Sequence, residues 1–281
     1  MSPLLTYNAA ISSSSKKFKT HLNYIKCMKH LTSNLSININ ISATAPLSRK
    51  VFEKFERLSN ITKISIAGEI QSCDKEKAYS QVSAPWVPVK CYYRLYYLES
   101  TFLYLLKNSN VGFGSSGHTE IRKSLRNFIR NRDISLAGTG ASKLSRSIQW
   151  DSAQKFRTVS GSTLRADYHK SDECTNSLQK KLSDYIEIDW KLKERIKNYR
   201  TKIDREKKIN ELLIKEFNLI DYFYWMRIKA NYRDVDFLDF DKDVNENDAY
   251  EYLMLYIETA EQYATALQTA IDTLKRTRSL V

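Results

Sequence analysis

The chain is 281 residues long, 27% charged and 42% hydrophobic, with a net charge of +13. At that length roughly three quarters of the unfolded surface can be buried, so a large core in one or two domains is within reach. The densest apolar run, Val87 to Leu106, is broken by Lys90, Arg94 and Glu99 and falls short of the roughly 20 clean residues of a membrane span, so a soluble chain with no membrane partner is expected.

Residues 1–52 hold seven Lys/Arg and no acid. Within them Phe18, Leu22, Ile25, Met28 and Leu31 recur at intervals of three and four, which predicts one helix, and residues 1–45 read as a basic N-terminal arm carrying it. One arginine in 52 residues argues against a transit peptide. Ser33 to Pro46 alternates apolar and polar residues and is expected to be a polar connection rather than a short strand. Residues 46–281 then form the predicted helical-bundle domain. Ser48 is placed to cap a helix striped by Val51, Phe52, Phe55 and Leu58. The β-branched run Ile61 to Ile70 fits a helix or a strand. After Pro85 and Pro88 comes VKCYYRLYYLESTFLYLLK, a helix aromatic on most sides and hence buried in the middle of a bundle.

A glycine-bearing loop leads into a basic helix, His118 to Asn131, with Ile121, Leu125, Phe128 and Ile129 inward and Arg122, Lys123, Arg126 and Arg130 on the outward face. Residues 133–163 read as a flexible junction. Leu178 to Phe217 reads as one or two long helices with Leu182, Ile186 and Ile203 among the inward residues. An aromatic helix from Asn218 to Val235, an acidic loop over 236–248 ended by an Asn247-Asp248 cap, and a long amphipathic helix from Ala249 to Arg278 complete the chain. All prolines lie at or before Pro88 and all glycines at or before Gly161, so the last 120 residues lack both of the strongest breakers. The expected fold is all-α, a bundle of about six to eight helices in one or two lobes.

Residues 118–170 carry eleven bases and four acids, against 19 bases and 22 acids in 171–281. Basic zones concentrated in this way point to a polyanion, with RNA favoured and Arg122, Lys123, Arg126, Arg130 and Arg132 as phosphate contacts. The plain alternative is a solvated lysine-rich surface. In RIKANYRD, Arg227, Asn231 and Asp234 are spaced i, i+4, i+7 and share a helix face fit for a phosphate and a ribose; a buried Arg–Asp pair is the structural alternative. In LRADYHK, Arg165 and His169 are four apart, and an imidazole beside a guanidinium can move a 2′-hydroxyl proton and offset phosphorane charge. A solvated helix start is the alternative there, and His118 is a further lone candidate. If the two faces meet, they make a composite site for metal-independent RNA cleavage: His169 as acid or base, Arg165 and Arg227 on the phosphate, Asn231 on the ribose and Asp234 fixing Arg227.

No cofactor or metal is expected. Cys27, Cys73, Cys91 and Cys174 form no C-x-x-C pair and the four histidines are scattered. Asp239, Asp241, Asp243, Asn245 and Asn247 fall at EF-hand spacing, yet Val244 stands where that loop needs glycine and Tyr250 where it needs glutamate. Four thiols suggest no disulfide framework, and the cytoplasm is the expected compartment.

The order WVPVKCYYRLYYLESTFLYLL, GHTEIRKSLRNFI, LRADYHK, RIKANYRD, over residues 80–275, resembles the HEPN superfamily. The similar part is a tyrosine-rich helix followed by a His-led basic helix. The resemblance implies a helical bundle working on or beside RNA in a bacterial defence or toxin–antitoxin system, with a protein partner or a second copy. Ribonucleolytic members carry an Arg, usually followed by a polar residue, then four to six further residues and a His. Here Arg165 and His169 enclose three residues and RIKANYRD has no His. A non-catalytic binding or scaffold module therefore stands beside endoribonuclease as an implied role.

Overall fold

The structure, a computed structural model, describes residues 16–41, 48–107, 117–146, 148–150, 172–193, 198–210, 215–232 and 244–277. The fold is an all-α bundle. Among the described residues the helices are α1 (Lys16–Leu31), α2 (Arg49–Lys75), α3 (Tyr79–Ser83), α4 (Val87–Lys107), α5 (Gly117–Arg130), α6 (Ala141–Leu144), α7 (Asp172–Lys193), α8 (Lys202–Asn210), α9 (Tyr222–Tyr232) and α10 (Glu246–Thr277). Eight of these have nine residues or more, in line with the periodicity.

The aromatic helix α4 is the axis of the core, packing against α2, α10, α9 and α5. Tyr92, Leu95, Phe102 and Leu103 are buried on it, as its lack of a polar face predicts. Across from it, the 32-residue α10 buries Tyr252, Tyr256, Tyr263, Leu267, Ile271 and Leu274 at helical spacing. Asn245 caps this helix, its Oδ1 accepting from the Asp248 backbone N–H at 2.8 Å, so the cap lies two residues before the expected one. The α1 stripe Phe18, Leu22, Ile25, Met28, Leu31 is buried, with α1 against α10.

Several expectations need correcting. Of the two readings left open for the β-branched run Ile61 to Ile70 the helix holds, but it continues the preceding helix as one of 27 residues, because Ile66 and Cys73 are buried on the same face as Phe52 and Phe55. Packing of that face outweighs the weak helix preference of isoleucine and threonine. Ser48 has an extended backbone but makes no side-chain cap; its N–H donates instead to Tyr104 Oη at 3.0 Å. The expected connection after Ser33 contains strand β1 (Ser36–Ile39), antiparallel to β2 (Ile134–Ala137) with Ile37 opposite Leu136 and Ile39 opposite Ile134. A second pair joins β3 (Ile148–Trp150) to β4 (Lys215–Phe217), so the chain is extended where the long helix was to end. Ile203, expected inward, is 76% exposed on α8. Cys73 and Cys91 are free and buried, whereas Cys27 is disulfide-bonded.

The β1–β2 clip rests on a close approach that only glycine permits. A Cβ on Gly140 would lie 2.4 Å from the Leu31 carbonyl oxygen, and Gly138 adopts φ +131°. No described helix is long and apolar enough to cross a membrane.

Candidate functional site

Two arginine clusters flank α5, and the sequence suggests neither arrangement directly. The first is buried. Arg122, expected on the outward face, is 3% exposed. Its Nε donates to Asp221 Oδ1 at 2.6 Å, its Nη2 to the same oxygen, and its Nη1 to Glu99 Oε1 at 3.0 Å. Arg126 Nη1 donates to Asp221 Oδ2 at 3.1 Å, and Tyr263 Oη donates to Glu99 Oε1 at 2.9 Å. Two guanidiniums and two carboxylates thus nearly cancel. Asp221 is positioned by its own turn: it closes the 3₁₀ turn Leu219–Asp221, where Asn218 N–H donates to its Oδ2 at 3.0 Å. Burial pushes the Asp221 carboxyl up, but Arg122 and Arg126 outweigh it and hold the group below its ordinary value. Burial dominates at Glu99, raising it against the pull of Arg122. This cluster is a structural lock between α4, α5 and α9. It removes Arg122 from the set of phosphate contacts and ties Arg126 to Asp221.

The second cluster lies where α5 begins. His118 Nδ1 and Tyr92 Oη are 2.8 Å apart, and the His118 ring centroid is 4.2 Å from that of Tyr96. The Arg227 guanidinium carbon sits over the Tyr92 ring at 5.2 Å and the Tyr93 ring at 5.5 Å. Arg227 is 7% exposed and reaches this position from α9, one turn above Phe223, which packs on Tyr263. Tyr92 and Tyr96 are one turn apart on α4 and so present adjacent rings to the same imidazole. Burial first and the Arg227 charge second lower the His118 pKa from 6.5 to about 4, so the ring is neutral at neutral pH. Burial keeps the Tyr92 phenol protonated. Around these groups Tyr93, Tyr97, Tyr224 and Trp225 are half-buried, leaving ring area at the surface. The cluster therefore combines a neutral imidazole, a positioned guanidinium and half-buried aromatic side chains, the equipment for a phosphate next to a base.

Of the predicted site residues, Arg227 joins this cluster, but with His118 beside it. Asn231 is half-buried one turn further along α9. Arg165, His169 and Asp234 lie outside the described residues, as do Asp239, Asp241 and Asp243 of the acidic loop. Lys123, Arg130 and Arg132 are exposed. Arg130 Nη2 donates to Asn127 Oδ1 at 2.9 Å, and Arg132, at φ +61°, accepts at its carbonyl from Asn40 Nδ2 at 2.9 Å. The signal for the Tyr92–Tyr96–His118 contact was present as an i, i+4 tyrosine pair before a His-led helix, but nothing local to His118 announces which rings it meets.

Comparison of the sequence with family models and with curated proteins, and of the fold with solved structures, yields no match.

Proposed function

We propose that this chain binds RNA along α5, with the His118–Tyr92–Arg227 cluster at one end of the helix and the cations Lys123, Arg130 and Arg132 towards the other. The observation that carries this is the partition of the basic residues. Arg122 and Arg126 are held by buried Asp221 and Glu99, while Lys123 and Arg130 are exposed on the same helix that delivers His118 to an aromatic surface and Arg132 is exposed two residues beyond its end. Thirteen residue steps of helix span about 20 Å, enough for a few nucleotides of single strand. Partly exposed aromatic side chains suit bases, and exposed cations suit phosphates. The HEPN-like order of parts supports a place in a bacterial defence or toxin–antitoxin system, with a protein partner or second copy. The test is fluorescence anisotropy of a labelled oligoribonucleotide at several salt concentrations. Binding should weaken with salt, and the triple variant Lys123→Glu, Arg130→Glu, Arg132→Glu should lower the log–log salt slope by about 2. Equal binding by wild type and triple variant at low salt sinks the reading and leaves the cations as a solvated surface, as a scaffold role requires.

His118 favours a second reading, metal-independent RNA cleavage. A neutral imidazole beside Arg227 is a fit acceptor for the 2′-hydroxyl proton as the 2′-oxygen attacks phosphorus, with the guanidinium offsetting charge on the phosphate. This gives His118 the role first assigned to His169. His118→Ala should then lower cleavage about 10²–10⁴-fold with binding retained. Intact RNA after prolonged incubation with the wild type removes this reading and leaves the first untouched.

A further inference from the structure

A polar cleft of about 210 Å³ opens between α2, α4 and α10, on the three helices that build most of the core. Arg94, only 8% exposed in its side chain, forms its inner wall. Glu261 takes two edges of that guanidinium, through Nε and through Nη2 at 3.1 Å, and so fixes its plane. The remaining edge, Nη1, faces Ser59 alone, at 3.4 Å to Oγ and 3.5 Å to the carbonyl oxygen. Both distances lie beyond the usual range for an N–H···O bond, so an acceptor placed in the cleft would complete Arg94 better than Ser59 does. Lys63 and Asn60 stand at the exposed mouth, one helical turn apart, and Lys63 makes no ion pair among the described residues. Thr101 adds a hydroxyl whose proton is given to the Tyr97 carbonyl, leaving its oxygen to accept. Ile271 supplies an apolar wall.

The charge balance selects the ligand. Glu261 offsets Arg94, and Lys275 Nζ holds Glu56, the carboxylate that lines the cleft, at 2.5 Å. Lys63 is left as the surplus charge. From the Arg94 Nη1 edge, the surplus at Lys63 and the Ser59 and Thr101 hydroxyls, we propose that the cleft binds a small hydroxylated anion, a carboxylate or a phosphate ester. The volume corresponds to about seven waters, which is room for about three to five carbons beside the anionic group. A ligand touching three core helices at once is bound only by the folded chain, so occupancy raises thermal stability.

The test uses glycerate and glycerol 3-phosphate, with glycerol as the neutral control, read by thermal shift and calorimetry. One or both anions should give a saturable rise in Tm and a one-site heat, and glycerol should give neither; which anion binds tells carboxylate from phosphate. Lys63→Glu should weaken binding at least about tenfold, and Asn60→Trp, plugging the mouth, should remove it. Both positions are exposed, and circular dichroism checks that each variant folds. No Tm shift with either anion overturns the proposal. So does a shift of equal size in wild type, Lys63→Glu and Asn60→Trp, which would place the anions elsewhere on a chain of net charge +13.

Discussion

Arg122 and Arg227 are buried to a similar depth, on helices that both pack on α4, yet they are surrounded by different chemistry. Arg122 lies between Glu99 and Asp221 and its charge is cancelled on the spot. Arg227 lies over the faces of Tyr92 and Tyr93, and its field reaches His118 strongly enough to help burial lower that imidazole's pKa. A carboxylate cage makes an arginine a fastener. An aromatic seat keeps its charge acting on neighbouring groups. The difference separates the part of the molecule that holds helices together from the part with chemistry to offer.

The largest expected effect breaks the first cluster. Asp221→Ala removes the acceptor of three Arg122 and Arg126 hydrogen bonds and of the Asn218 N–H, leaving an under-compensated guanidinium in the core. A loss of about 3–5 kcal/mol in denaturant unfolding is expected. A loss under about 1 kcal/mol would mean that Arg122 finds water when its partner is gone, and the lock would not be one.

Next in size is the aromatic seat. Arg227→Ala should cost about 2 kcal/mol of stability, the scale of a desolvated cation–π contact, and should raise the His118 pKa, because one of the two causes of its depression is removed. NMR titration of the His118 ring reads the second effect directly. Arg227→Lys retains the charge but not the planar stacking, so it should keep the lowered pKa while losing part of the stability. An unchanged His118 titration in Arg227→Ala would show that burial alone sets it.

How far these two clusters can be read from residue order follows from their contacts. The helices are legible because buried apolar residues repeat at helical spacing: α1 and α10 follow their stripes closely, and α4 has no polar face to expose. Arg122 was misplaced because it borders the arc of Ile121, Leu125 and Phe128, and a border residue turns inward or outward according to partners that its own helix does not name. Those partners are 23 and 99 residues away in sequence. The β1–β2 pair escapes for the same reason, two four-residue strands joined across about a hundred residues. For the candidate site, the tyrosine face of α4 and the opening histidine of α5 are visible separately. Their meeting is a product of how α4, α5 and α9 cross, which periodicity does not encode.

The smallest effect concerns pH and sharpens the comparison most. His118 titrates at about 4 in the folded chain and near 6.5 when unfolded, and buried His21 is also held well below 6.5 by burial and then by Lys229 and Lys181. Between those values the unfolded chain binds more protons than the folded one, so stability rises with pH through this window and is lost as pH falls from about 6.5 towards 4. Tm should therefore decline over that range, most of the decline belonging to fully buried His21 and a smaller share to half-buried His118. His118→Gln should flatten the profile slightly while keeping a hydrogen-bonding group near Tyr92, and His21→Gln should flatten it more. Within the Arg122 cluster, Asp221, held below its ordinary pKa, stays ionised until the pH falls lower still, whereas Glu99, raised by burial, takes up its proton more readily in the folded chain and works against the decline. Tm profiles of the same slope from pH 6.5 to 4 in the wild type, His21→Gln and His118→Gln would show that neither histidine is neutral in the fold, and His118 would then be a cation beside Arg227 rather than an acceptor.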